Sequence, residues 1–404
     1  MGRKNVYHIN LGNFGSTGTI ARGIINRAEY SHYSGKFVYP GNRLNKPKEK
    51  TDFQMSPWFI RKFSEMLQII TGFSDCFAVF ETLNLVRYMD KCGVDLVHIH
   101  NLHGSYINLP IFFRYIKRRG VPVIWTLHDC WSFTGHCPHF DMIKCDKWKT
   151  GCNNCPQFRE YPQSFFDNSK FMWKLKKRWF TGVKDLTIVT PSQWLANLVS
   201  ESFLKNYPVM VIHNGIDLSV FNPNESKFRT LNNIPDDEFM VLGVAFGWGS
   251  RKGLDVFTEL SKRLPKKYHI VLVGTDADID RILPEGIISI HRTQNQQELA
   301  EVYSSADLFV NPTREENYPT VNMESLACGT PVLTFKTGGS PEIVDETCGS
   351  VVPCNDIDAL EKEIIRICET KPYSKEACLK RAKAFDMNDR FAEYIELYKK
   401  VLNE

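Results

Sequence analysis

No run of 18 apolar residues occurs in this 404-residue chain, so no segment reads as a membrane-spanning helix. The opening Met1-Gly2-Arg3-Lys4 leads straight into strand-like VYHINL, not into an apolar leader with a cleavage site. The expectation is therefore a cytoplasmic protein. Charge of one sign is scarce: 50 Lys and Arg against 46 Asp and Glu leave a net +4, too little by itself to argue for nucleic acid. Repeats and low-complexity tracts are missing, which excludes solenoids and disordered linkers. What remains is 43% apolar and 24% charged, an ordinary globular balance with length for two or three domains. Cysteine, in contrast, is plentiful. Twelve of them without a leader read as thiols or metal ligands, not disulfides.

Strand-like and helix-like segments alternate along the chain. Residues 6–11 predict a first strand, followed by Gly12-Asn13-Phe14-Gly15-Ser16-Thr17-Gly18 and a helical pattern at Ile20, Ile24 and Ile25. A strand, a glycine-rich turn and a helix form a phosphate-approach geometry. The spacing is not the dinucleotide fingerprint, and a plain tight turn is the other reading. Residues 35–56, polar and rich in Lys and Pro, predict an exposed loop. Residues 58–70 predict a helix, and 95–100, 121–127, 185–190 and 209–213 predict strands, with His100 and His128 at strand ends. The turn-rich Asn214-Gly215-Ile216-Asp217 and Phe221-Asn222-Pro223 mark a domain boundary. Beyond it, 240–245, 269–274, 287–291 and 308–312 predict strands. Helices are expected from Gly253 and over 356–369 and 389–402. This alternation argues for doubly wound α/β sheets with the ligand crevice beyond the strand carboxyl ends.

The stretch 311–332, NPTREENYPTVNMESLACGTPV, carries the most chemistry. It leaves a buried strand and enters a helix of about three turns starting near Thr320. Glu316 falls in the loop, and Glu324 lies on the helix in line with Val321. Backbone N–H groups of Thr320 and Val321 would face an anion placed at the helix start. A carboxylate pair beside such a helix end suits a sugar joined to a phosphate.

Glu316, Glu324 and Ala327-Cys328-Gly329-Thr330-Pro331-Val332 resemble the signature of retaining glycosyltransferase family 4. Glu315 is one place out of register with that motif. The 214–223 turn also resembles the family's link between two lobes. The resemblance implies the GT-B fold: two Rossmann-like parallel-sheet domains with a cleft between them. The N-terminal, acceptor-side domain would be 1–213, with a Cys-rich loop at 130–156. The nucleotide-sugar domain would be 214–385, and the helix 386–404 would pack back on the first domain. It further implies retaining hexosyl transfer from a UDP- or GDP-sugar, without a catalytic metal. Lys252, beside Arg251 and before Gly253, would take the leaving diphosphate, where loss of one such donor costs roughly 3 to 4 kcal/mol. The family has an Arg six residues before that Lys, and here the position is Phe246. Glu316 would meet sugar hydroxyls, Asn317 and Tyr318 would add backbone contacts, and Glu324 would hold the ribose. His128, in TLHD, resembles the family histidine that meets the donor sugar. Gly15, Ser16, Gly18 and Arg292 complete the expected donor contacts.

Cys137, Cys145, Cys152 and Cys155, spaced C-x7-C-x6-C-x2-C, suit a tetrahedral structural Zn2+. Free thiols, a redox disulfide and an iron–sulfur cluster are the other readings; His136, His139 and Cys130 are further ligand candidates. Residues 170–180, basic and aromatic without acid, can lie on an anionic bilayer, with the 58–70 helix beside them. Burial of those aromatics in the domain is the opposite reading. The expectation is an enzyme of surface-polysaccharide synthesis. It would act on a glycan or polyprenyl-diphosphate-linked acceptor, touch the inner face of the plasma membrane and bind no nucleic acid. The alternatives are a GT-B nucleotide-sugar epimerase, or a zinc-stabilised glycan- or nucleic-acid-binding protein.

Overall fold

Short apolar runs separated by polar loops become strands buried on both faces, because only helices on each side can cover an all-parallel sheet. The structure, a computed structural model, describes residues 2–41, 49–50 and 52–404. The chain divides into two units, Met1–His213 with Arg390–Glu404, and Asn214–Asp389.

Among the described residues, unit 1 holds seven strands: β1 (Lys4–Ile9), β2 (Tyr33–Tyr39), β3 (Phe53–Gln54), β4 (Leu96–Ile99), β5 (Val123–Thr126), β6 (Leu186–Thr190) and β7 (Val209–Val211). Their order is β3-β2-β1-β4-β5-β6-β7, with every pairing parallel. Unit 2 holds β8 (Phe239–Val244), β9 (Tyr268–Val273), β10 (Ile288–Ile290), β11 (Leu308–Asn311), β12 (Val332–Phe335) and β13 (Gly349–Val352). These run β10-β9-β8-β11-β12-β13, again all parallel. The strand order reverses between β1 and β4 and between β8 and β11. Connections there leave toward opposite faces, so a crevice opens beyond those carboxyl ends.

Alternation along the strands splits each sheet into two faces. In unit 2, Met240, Leu242 and Phe309 enter one core, and Val241, Leu308 and Val310 the other. In unit 1, Tyr7, Ile9, Val97, Ile99, Val123 and Trp125 pack into a single apolar core. The opposite face carries His8 and His98, paired in register across β1 and β4.

Three expectations are corrected. The loop expected at 35–56 contains most of β2 and all of β3, because the parallel ladder to β1 outweighs the polar residues of YSGKFVY; its residues 42–48 and 51 lie outside the described residues. The glycine-rich turn is shorter than expected, since a helix already begins at Gly15 (Gly15–Glu29). The helix after β11, Thr320–Ala327, has eight residues, nearer two turns than three.

The two basic or aromatic helices take opposite orientations. Ser169–Phe180 buries Met172, Trp173, Phe180 and even Lys176, whose ammonium donates to the Trp131 carbonyl (2.8 Å) and lies 3.5 Å from the Trp131 ring centroid. Trp58–Thr71 does the reverse. Its buried residues are Ser64 and Gln68, while Trp58, Phe59, Phe63, Met66 and Ile70 are 44–66% exposed.

Candidate active site

In unit 2 the crevice beyond β8 and β11 is built from residues 245–253 and 312–319. Glycine is required at position 253: its φ is +78°, and a Cβ there would lie 2.6 Å from the Pro312 carbonyl. This close approach draws the two loops together. Arg314 N–H donates to the Arg251 carbonyl (2.9 Å), and the Arg314 guanidinium grips Asp255 with two 2.7 Å bonds. Lys252 Nζ then meets Glu316 Oε2 at 2.5 Å, with each side chain 20% exposed. Glu316 Oε1 also accepts from the Asn317 N–H (3.1 Å). The next loop closes over this backbone, with Gly339 N–H donating to the Asn317 carbonyl (2.8 Å). Gly338, at φ +54°, is held so close that a Cβ would sit 1.7 Å from the Glu316 oxygen.

Lys252 and Glu316 are thus brought together, and Glu315 is buried beside them. Asn317 and Tyr318 are buried, and Thr320 and Val321 open the following helix, whose start no side chain caps. Arg251 is exposed, as is Arg292 beyond β10. Phe246, at the position where a cation was expected, is fully exposed, whereas Trp248 stacks edge-on with Phe257 and donates to the Val273 carbonyl. The clamp residue Arg314 belongs to none of the motifs in the sequence. Its one signal was a charge in the loop that follows β11.

Glu324 sits one helical turn on and accepts from the Tyr303 hydroxyl (3.2 Å). Burial pushes its carboxyl up to about 7, against the hydrogen bonds of Thr320 and Tyr303. A carboxyl in that state is a hydrogen-bond partner able to donate or accept near neutral pH.

In unit 1, Gly15 and Ser16 are exposed at the start of their helix, while Gly18 is buried. A Cβ on Gly18 would meet the Asn13 carbonyl carbon at 2.8 Å, so glycine is needed there for helix–loop packing. His128, beyond β5, contacts His100 (Nε2 to Nδ1, 3.1 Å). Burial first, together with His103, lowers it to about 4 against the pull of Asp129, so the ring is neutral at pH 7. His103 itself bonds Asp129 (2.9 Å) and the Tyr161 hydroxyl (2.8 Å).

The Cys-rich loop carries only two short 3-10 turns, Trp131–Phe133 and Lys147–Lys149. Cys137, Cys145, Cys152 and Cys155 are free thiols lining one cavity of about 10 Å³ with His136. Gly135 N–H donates to Cys152 Sγ (3.1 Å). Among the described residues, the trio of potential ligand atoms lying within 4.8 Å of one another is His8, His98 and His100, not the thiols.

The raised carboxyl of Glu324 gives a pH prediction. The folded protein keeps that proton to about 7, whereas the ordinary value is 4.5. Its contribution to stability is therefore full below about 4.5 and is lost as pH rises through about 7. Thermal unfolding should show Glu324→Gln gaining on the parent protein across that window, with a flat difference below it.

Comparison with known proteins adds the family. The model described as Glycosyltransferase Family 4 matches residues 47–220, and that described as Glycosyl transferases group 1 matches 238–370. Over 389 residues the chain is 23% identical to an Escherichia coli (strain K12) protein named for colanic acid biosynthesis, glycosyl transferase WcaC; the alignment covers 92% of this chain and 91% of that one. Among solved structures, sucrose-phosphate synthase from Thermosynechococcus elongatus superposes with TM-score 0.73 at 18% identity, covering 99% of this chain and 100% of that one. Anabaena HepE in complex with UDP gives 0.66 at 14% identity, covering 98% and 100%. With both sheets and both family matches in agreement, the chain belongs to the glycosyltransferases of the family 4 and group 1 type, on a GT-B fold.

Proposed function

We propose that the protein is a retaining hexosyltransferase of surface-polysaccharide synthesis, using a UDP- or GDP-sugar and a glycan or polyprenyl-diphosphate-linked acceptor. The observation that carries this reading is the Lys252–Glu316 pair at the β8/β11 crevice, beside the uncapped start of the Thr320–Ala327 helix. An ammonium and a helix N-terminus suit a diphosphate; a carboxylate suits sugar hydroxyls. The relationship to a protein named for colanic acid biosynthesis, and the UDP bound by HepE, support the same chemistry.

As the glycosidic bond breaks, negative charge grows on the leaving diphosphate. Lys252, Arg251 and the amides of Thr320 and Val321 stabilise it. Glu316 offsets positive charge on the sugar ring, with Asn317 and Tyr318 contributing backbone contacts. Glu324 takes the ribose, with Arg292 on the base side. The acceptor hydroxyl attacks the anomeric carbon on the face the diphosphate leaves, and its proton passes to the departing phosphate oxygen, which preserves configuration. In unit 1, His128 meets the donor sugar, and Gly15, Ser16 and Gly18 shape the approach of the phosphate. A nucleotide-sugar epimerase is the competing reading; it would turn over donor alone.

A lipid-linked acceptor requires the enzyme to work at a bilayer. The outward apolar face of Trp58–Thr71, flanked by Arg61 and Lys62, supports peripheral contact with an anionic inner membrane face better than the inward aromatics of Ser169–Phe180. The four thiols around one ion-sized cavity support structural Zn2+. So does buried His136, whose Nε2 has no hydrogen-bond partner among the described residues.

Three measurements check this reading. Lys252→Ala and Glu316→Gln should each lower kcat/KM by about 100-fold or more, the worth of one buried electrostatic contact; unchanged transfer, or turnover of donor without acceptor, refutes the site or the reaction. Flotation with anionic liposomes should fall sharply for Phe59→Glu/Phe63→Glu, and equal flotation removes the membrane claim. Metal analysis of purified protein should find one zinc per chain, lost in Cys152→Ser/Cys155→Ser.

A further inference from the structure

Unit 1 contains an unbroken line of buried polar groups. His98 and His100 are two residues apart and share a sheet face; His8 is the register partner of His98, and Thr126 lies on the same face of β5. The C-terminal helix, Met387–Leu402, lays Tyr394 and Tyr398 against them. A metal does not fit here. Both ring nitrogens of His8, of His98 and of His100 are already bonded to protein groups. The rings of His98 and His100 are stacked, 4.3 Å between centroids at 27°, which points their in-plane lone pairs past a common ligand position.

Burial holds His8, His98 and His100 well below their ordinary titration range, so each ring is neutral and offers one N–H and one lone pair. Such a line has a direction, and one end sets it. Thr126 O–H donates to the Tyr394 oxygen (3.3 Å), so the Thr126 oxygen accepts from His98 Nε2–H (2.8 Å). His98 Nδ1 accepts from Tyr398 O–H (2.6 Å), whose oxygen accepts from His8 Nε2–H (3.2 Å). His8 Nδ1 accepts from His100 Nε2–H (3.4 Å), and His100 Nδ1 from His128 Nε2–H (3.1 Å).

We infer that this line fixes His128 as the Nε2–H tautomer, with Nδ1 as its acceptor nitrogen, and that His8, His98, His100 and Tyr398 are positioning residues for it. The inference rests on the reading of His128 as the residue that meets the donor sugar. It makes the C-terminal helix part of the reactive apparatus of unit 1: Tyr398 closes the line by accepting from one histidine and donating to another.

The test is a two-bond 1H–15N correlation spectrum of the full chain labelled with 15N-histidine, with His128 assigned through His128→Asn. The expected spectrum shows a protonated Nε2 and an unprotonated Nδ1 for His128. Tyr398→Phe should convert His128 to a mixture of tautomers and lower kcat about ten-fold, the loss when about a tenth of the molecules keep the competent tautomer, with the KM for the nucleotide sugar unchanged. A wild-type His128 protonated at Nδ1, or a tautomer untouched by Tyr398→Phe, overturns the inference; should that variant not fold, the wild-type spectrum alone decides. The expected tautomer in an enzyme whose His128→Ala variant transfers at full rate would support the line while refuting the role given to His128.

Discussion

An ammonium and a carboxylate, Lys252 and Glu316, span the exits of two neighbouring strands whose connections leave in opposite directions. That divergence opens a crevice, and something has to hold its walls in register. The ion pair does so, with the Arg314–Asp255 clamp and the contact at Gly253 behind it. Removing either partner of a shielded pair leaves a charge without compensation, which costs more than the pair itself contributes. The same two groups are therefore held against each other at the strand exits before any substrate arrives. In the proposed reaction, the substrate's diphosphate and sugar hydroxyls take over these contacts.

Unit 1 solves a different problem. One sheet face is an ordinary apolar core, but the other carries histidines and a threonine, met by two tyrosines of the C-terminal helix, where aliphatic side chains would pack without penalty. Buried polar groups survive only when each donor meets an acceptor, and here the accounting runs across three strands and the C-terminal helix. The arrangement gives up the tolerance of an aliphatic core for a single set of proton positions. Lys176 follows a related logic: its ammonium is buried against the Trp131 ring and carbonyl, and burial lowers it to about 7.

The helices Trp58–Thr71 and Ser169–Phe180 show where pattern reading stops. Both mix aromatic and basic residues at helical spacing, and both helices were legible. Periodicity states that a face exists, not which way it turns. The second helix turns its aromatics into the core of unit 1; the first packs Ser64 and Gln68 inward and leaves its apolar side uncovered. Direction was set by neighbours outside the helix: Gln68 accepts hydrogen bonds from the Asp75 N–H just beyond its end and from the Ser105 hydroxyl 37 positions on, which draws the polar side inward.

The sequence by itself determined the alternation of strands and helices, the break near residue 214 and the chemistry-bearing loop 312–319, because these depend on local periodicity, turn residues and one dense motif. It named Lys252 and Glu316 separately, 64 positions apart. Only the tertiary structure decided that they touch, that Arg314 braces them, that Glu324 is buried enough to raise its carboxyl, and that four scattered histidines form one line. Those facts depend on strand order and register. A parallel sheet brings together residues from distant parts of the chain, and no local pattern encodes which of them meet.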